Sequence, residues 1–109
     1  MEVNDVFLST LYFLLSTLVM KQLHVIFTGR VQGVGFRYTA ERIARHFVVT
    51  GYVRNLADGN VELSAEGEEA ILKDFLKAIC GSPMNPYIRE AREEWSEALG
   101  QFKEFGIAF

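Results

Sequence analysis

Hydrophobic and polar positions divide the chain into short segments of changing period. Lys21 to Thr28 alternates, with Leu23, Val25 and Phe27 on one side, and predicts a strand. Phe36, Ala40, Ile43, Ala44 and Phe47 then recur at helical spacing, leaving Glu41, Arg42 and Arg45 opposite, which predicts a helix of about three turns. Val48 to Leu56 is β-branched and aromatic and predicts a second strand. After the turn signal Asp58-Gly59, Val61, Leu63 and Ala65 alternate with Glu62, Ser64 and Glu66, a third strand with one wet face. Glu68 and Glu69 place acid at the start of a second helix, with Ile71, Leu72, Phe75, Leu76 and Ile79 inward and Gly81 as its cap. Residues 82–86 read as a linker. Tyr87 to Trp95 is ambiguous, because Glu90 to Ala98 has helical propensity while its place in the order favours a strand. Gln101 to Phe109 alternates imperfectly as a last strand.

The order βαββαβ predicts an α+β, ferredoxin-like sandwich, a mixed sheet of four to five strands with two helices on one face. It also predicts a meeting of distant residues. A twelve-residue helix descends about 18 Å at 1.5 Å per residue. A strand rising about 3.3 Å per residue regains that height in roughly six residues. Residues 53–55 should therefore arrive level with the turn before the first helix, so Asn55 can face that turn across 18 positions from Arg37.

Length and charge narrow the class. A chain of 109 residues is enough for one domain with a single core. A net charge of -3 argues against a general nucleic-acid binder. Cys80 is the single cysteine, which excludes an internal disulfide and the common cysteine zinc patterns and makes a reducing cytoplasm the expected location. Val6 to Met20 is uncharged over 15 residues, short of the roughly 20 a spanning helix needs. Residues 1–20 are expected to be an apolar extension outside the core domain of 21–109. They read as a non-native extension upstream of a start at Met20, as a membrane or partner anchor, or as an uncleaved export signal without the usual basic flank. Otherwise a monomer without a membrane role is expected.

The candidate chemistry lies at Gly29-Arg30-Val31-Gln32-Gly33-Val34-Gly35-Phe36-Arg37. Glycines here admit positive φ, so several N–H groups can converge on one point, and a helix N-terminus adds the positive end of its dipole. Arg37 in that first turn is unfavourable unless an anion lies between, so the loop reads as a socket for a phosphate-sized anion. It is neither a Walker A loop nor a dinucleotide fingerprint. His24, His46, Cys80 and Arg54 read as structural or solvated residues, and Trp95 and the terminal phenylalanines as core.

The loop, followed by Gly51-Tyr52-Val53-Arg54-Asn55-Leu56 and Asp58-Gly59, resembles the acylphosphatase family, over roughly residues 21–109 and most densely from 29 to 66. The resemblance implies hydrolysis of an acyl phosphate to a carboxylate and inorganic phosphate without metal or cofactor. It implies that Arg37 binds the phosphoryl group and Asn55 orients the attacking water. The backbone amides of Gln32, Gly33, Val34, Gly35 and Phe36 would hold phosphate oxygens. The alternative is a non-catalytic anion-binding or regulatory module on the same fold; a segment of a larger maturation protein has no support beyond the fold. The charged run Glu90 to Glu94 departs from the apolar alternation usual for the family's fourth strand, with Glu93 at an apolar position.

Overall fold

A computed structural model describes residues 5–18 and 20–109, with the side chains of 12–18 outside the description. Residues 1–4 and 19 of the expected extension thus lie outside the described residues. The rest of it contains helix α1 (Asp5–Leu18), whose Val6, Phe7, Leu8 and Leu11 are exposed. Among the described residues no helix is long and apolar enough to cross a membrane.

The remaining strands and α-helices are β1 (Met20–Gly29), α2 (Phe36–Ala44), β2 (Thr50–Asn55), β3 (Val61–Glu68), α3 (Glu69–Cys80), β4 (Ile88–Glu97) and β5 (Phe105–Ile107), with a short 3-10 turn at Asn85–Tyr87 before β4. They form a five-stranded sheet in the order β4-β1-β3-β2-β5. All neighbours run antiparallel except β2 and β5, so the sheet is mixed as expected. The inward residues of β1, Leu23, Val25 and Phe27, are wholly buried and share one core with Phe36 and Ala40 of α2 and Leu72, Phe75 and Ile79 of α3. Burying each such side chain contributes roughly 1.5–3 kcal/mol, which is why the alternation and the helical spacing agree on one face.

Several expectations need correction. The helix after the glycine loop, α2, ends at Ala44, and Phe47 packs beyond it against Phe75, ring centroids 5.7 Å apart. The ambiguous segment is strand: Lys21↔Glu97 through Thr28↔Glu90 pair along β1, and this ladder outweighs helical propensity. Glu93 shares the period-two side of Ala91 and Trp95 yet stays exposed, because β4 is an edge strand, and it accepts a hydrogen bond from Trp95 Nε1 at 3.2 Å. The last strand is three residues, shorter than 101–109. Gly81 does cap α3, donating to the Lys77 carbonyl at 2.9 Å, but with φ −90° rather than a left-handed turn.

The third strand has no wet face over its second half. Ser64 and Glu66 are each only 4% exposed. Glu66 accepts from the backbone N–H groups of Leu99 at 2.8 Å and Gly100 at 3.0 Å and from Gln22 Nε2 at 3.1 Å. The segment between β4 and β5 thus crosses the sheet face opposite the helices, and a buried carboxylate holding three donors is tolerated there because its lone pairs are satisfied.

Nearer the other end of β3, Glu62 accepts from His24 Nε2 at 2.8 Å and pairs with Arg54. Burial works to raise the Glu62 pKa, but the hydrogen bonds from His24 and Arg54 prevail and hold it below the usual carboxylate value of 4.5. A carboxyl group whose pKa is depressed by folding adds stability that is present above its unfolded pKa and lost as pH falls through the folded value. Glu62→Gln should therefore be less stable than wild type near neutrality, with the difference shrinking below about pH 4.5. Urea unfolding across that range checks this, and a difference that persists unchanged in acid would contradict it.

Candidate active site

The glycine loop is held at three points. At its start Arg30 donates its N–H to the Tyr87 carbonyl at 2.9 Å. In its middle Gln32 Nε2 donates to the carbonyls of Leu56 at 2.7 Å and Asn60 at 2.8 Å, tying the loop to the β2–β3 hairpin. At its end Phe36 is buried against Phe27, centroids 4.8 Å apart. Between these anchors Gly33 has φ 78° and Gly35 φ 84°. A side chain at either would be strained in that region, and the left-handed turn at Gly35 points the chain into α2. No side chain of the described residues caps this helix. Among the described residues no backbone carbonyl accepts from the N–H groups of residues 32–38. Unpaired amides at a helix N-terminus form a positive site suited to an oxyanion.

Val31, Gly33, Gly35, Phe36, Arg37, Tyr38 and Asn55 line one cavity of about 180 Å³. Arg37, in the first turn of α2, and Asn55, at the end of β2, are thus brought together with the loop glycines. Asn55 pairs with Val61 through the ladder, and among the described residues its side-chain amide has no hydrogen-bond partner. Gln32 and Val34 do not line the cavity: the Gln32 side chain goes to the hairpin and Val34 packs against the core. Arg54, beside Asn55 in sequence, turns to Glu62 and lies over the Tyr52 ring.

Two neighbours of the cavity were not legible in the sequence. Tyr38 joins its rim, with no local signal to set it apart from other helix-surface residues. Phe109, expected in the core, is 97% exposed and stands over the Arg37 guanidinium, 5.3 Å from ring centroid to Cζ. The reason is register. Gly51↔Phe105 and Val53↔Ile107 pair in parallel, and Ala108 donates to the Val53 carbonyl at 2.9 Å, so β5 delivers Phe109 near the end of β2 where Asn55 lies. Two other residues expected to be structural stay so: His24 is engaged by Glu62, and burial, with Glu93 adding to it, pushes the Cys80 thiol up and away from the reactive thiolate. Among the described residues no three His, Cys, Asp or Glu side chains cluster as a metal site would require.

The acylphosphatase family model matches residues 23–107, which contain the loop, Arg37 and Asn55. The chain belongs to the acylphosphatase family. An acylphosphatase of Bacillus licheniformis is 46% identical over 91 residues, covering 83% of this chain and all of the relative. The crystal structure of acylphosphatase from Bacillus subtilis superposes with a TM-score of 0.73 at 35% identity, covering 82% of this chain and 99% of that one. The crystal structure of full-length HypF in its phosphate- and nucleotide-bound form is also similar, with a TM-score of 0.71 and 27% identity, but this chain covers only 12% of that protein. The chain is accordingly an enzyme of the acylphosphatase family, and hydrolysis of small acyl phosphates is the activity its family and fold support.

Proposed function

We propose that the chain cleaves acyl phosphates in the cavity between the glycine loop and Asn55, with no metal. The substrate's phosphoryl oxygens accept from the amides of residues 32–36 and from the Arg37 guanidinium, whose planar fork suits bidentate contact with phosphate. Asn55 holds a water through its carboxamide and directs it at phosphorus. The water oxygen bonds to phosphorus as the bond from phosphorus to the acyl oxygen breaks. The products are a carboxylate and inorganic phosphate, and the water's proton is shed to solvent or phosphate. The leaving carboxylate has an acidity like that of Glu, pKa about 4.3, so it departs without a general acid at neutral pH. Catalysis then rests on positioning and charge, which is what phosphoryl transfer chiefly asks of a protein.

The observation that carries this reading is that Arg37 and Asn55 line the same cavity as the loop glycines. Purified protein with chelator present should release benzoate and phosphate in equal amounts from benzoyl phosphate. Phosphate binding without turnover would favour the non-catalytic alternative instead. Phe109, whose ring centroid lies 5.3 Å from the Arg37 Cζ, enters the same reading as a partner that limits the freedom of that guanidinium. A cation–π contact at an exposed site contributes about 0.5–1 kcal/mol, so Phe109→Ala should raise KM roughly two- to fivefold with kcat little changed. Steady-state kinetics check this, and an unaltered KM would remove Phe109 from the site.

A further inference from the structure

We propose that the buried carboxylate of Glu66 is a positioning residue for the active site, tying down the segment that carries Phe109 to Arg37. This rests on the acyl phosphate reading above. Glu66 lies five residues along β3 from Val61, the ladder partner of Asn55, or about 17 Å at the usual rise of a strand. It acts from that distance because β5 is a weak hold by itself. β5 is three residues long, lies at the sheet edge, and pairs with β2 in parallel, the less stable ladder. Between β4 and β5, residues 98–104 have no regular structure, and Leu99, Gly100, Gln101, Lys103 and Glu104 are exposed. A segment with so few buried contacts opens locally at small cost unless something fastens it.

Glu66 is that fastening at the segment's start. Its Oε2 accepts from the Leu99 N–H at 2.8 Å and its Oε1 from the Gly100 N–H at 3.0 Å. The left-handed backbone at Gly100, φ 69°, lets two consecutive N–H groups converge on one anion. Gln22 Nε2, 3.1 Å from Oε2, steadies the carboxylate from β1. From there the contacts run without a gap to the site. The Phe102 ring stands edge-on to Tyr52 at 5.8 Å, the Glu104 carbonyl accepts from the Gly51 N–H at 2.9 Å, and Phe105 packs on Phe75 at 5.5 Å. Past β5, the bond from Ala108 to the Val53 carbonyl is the last tie before Phe109 meets Arg37. A carboxylate is needed at position 66 because each of its oxygens holds one N–H of the segment. Glutamine offers a single acceptor oxygen, so Glu66→Gln must give up one of the two bonds.

The test is a double-mutant cycle on the full chain, read as KM for benzoyl phosphate and as Kd for inorganic phosphate by calorimetry. Glu66→Gln should raise both about two- to fivefold with kcat little changed, as expected for Phe109→Ala. The double variant Glu66→Gln/Phe109→Ala should be no weaker than Phe109→Ala alone, because both changes undo the same contact. Ile79→Val, which shrinks a buried side chain of α3 away from this segment, should lower the unfolding temperature and leave KM and Kd unaltered. Phe102→Ala loosens the segment further along and should act as Glu66→Gln does; it decides the matter if Glu66→Gln does not fold. Unaltered KM and Kd in Glu66→Gln and Phe102→Ala overturn the proposal. Effects of Glu66→Gln and Phe109→Ala that multiply in the double variant overturn the route through Phe109, and an equal rise in Ile79→Val overturns it in favour of general destabilisation. Absence of turnover by wild type defeats the hydrolase reading instead, and the phosphate affinities then decide this inference by the same comparisons.

Discussion

Arg37→Ala should lower kcat for benzoyl phosphate by about three to five orders of magnitude, the range found where an arginine neutralises transferring phosphoryl charge. Among the described residues its guanidinium is the one cationic side chain that lines the cavity. Arg37→Lys should recover only part of the loss, since an ammonium keeps the charge without the planar fork. The fold should be indifferent to either change. Removing a cation from the first turn of α2 relieves an unfavourable dipole interaction of about 0.3–1 kcal/mol. Losing the stack on Phe109 costs a comparable amount, about 0.5–1 kcal/mol. Activity and thermal unfolding measured on the same preparations separate the two effects. An Arg37→Ala protein retaining more than a tenth of wild-type turnover would end the proposed role.

Asn55→Ala should cost about two to three orders of magnitude in kcat, by analogy with removal of a positioned hydrogen-bonding amide from other active sites. Its side chain has no protein partner among the described residues and lines the cavity, so its carboxamide is available to hold water. The backbone of Asn55 stays in the β2–β3 ladder whatever the side chain, which keeps the strand end in place. Asn55→Asp is the sharper variant. It preserves shape, but puts a negative charge beside the phosphoryl group and removes the NH2 donor, so KM should rise as kcat falls. A water-steering role predicts that phosphate still binds to Asn55→Ala with near wild-type affinity by calorimetry. Loss of binding in step with turnover would make Asn55 an anion ligand instead.

The cavity is legible in the sequence because its parts obey local rules. Glycines at positions 33 and 35 are needed where φ is positive, and the loop's place between an alternating run and a helical run makes it a strand-to-helix turn. The approximate level of Asn55 is legible from rise per residue, although α2 is nine residues long rather than twelve. The βαββαβ order and the inward faces of β1, α2 and α3 are equally local, since each is a periodicity that one core can satisfy.

What lay beyond the sequence depends on contacts between segments far apart in the chain. Glu66 reads as a solvent-facing strand residue until Leu99 and Gly100 fold over it. For the segment from Ile88 to Glu97 the order of elements already favours a strand over its helical composition, but its pairing register along β1 comes only with the fold. Phe109 meets Arg37 only through the parallel register of β5 on β2, and Arg30 shares a cleft with Arg89 only because β4 returns beside β1. Periodicity reports which side of its own element a residue occupies, whereas which other element covers that side is decided by pairing and packing across the whole fold.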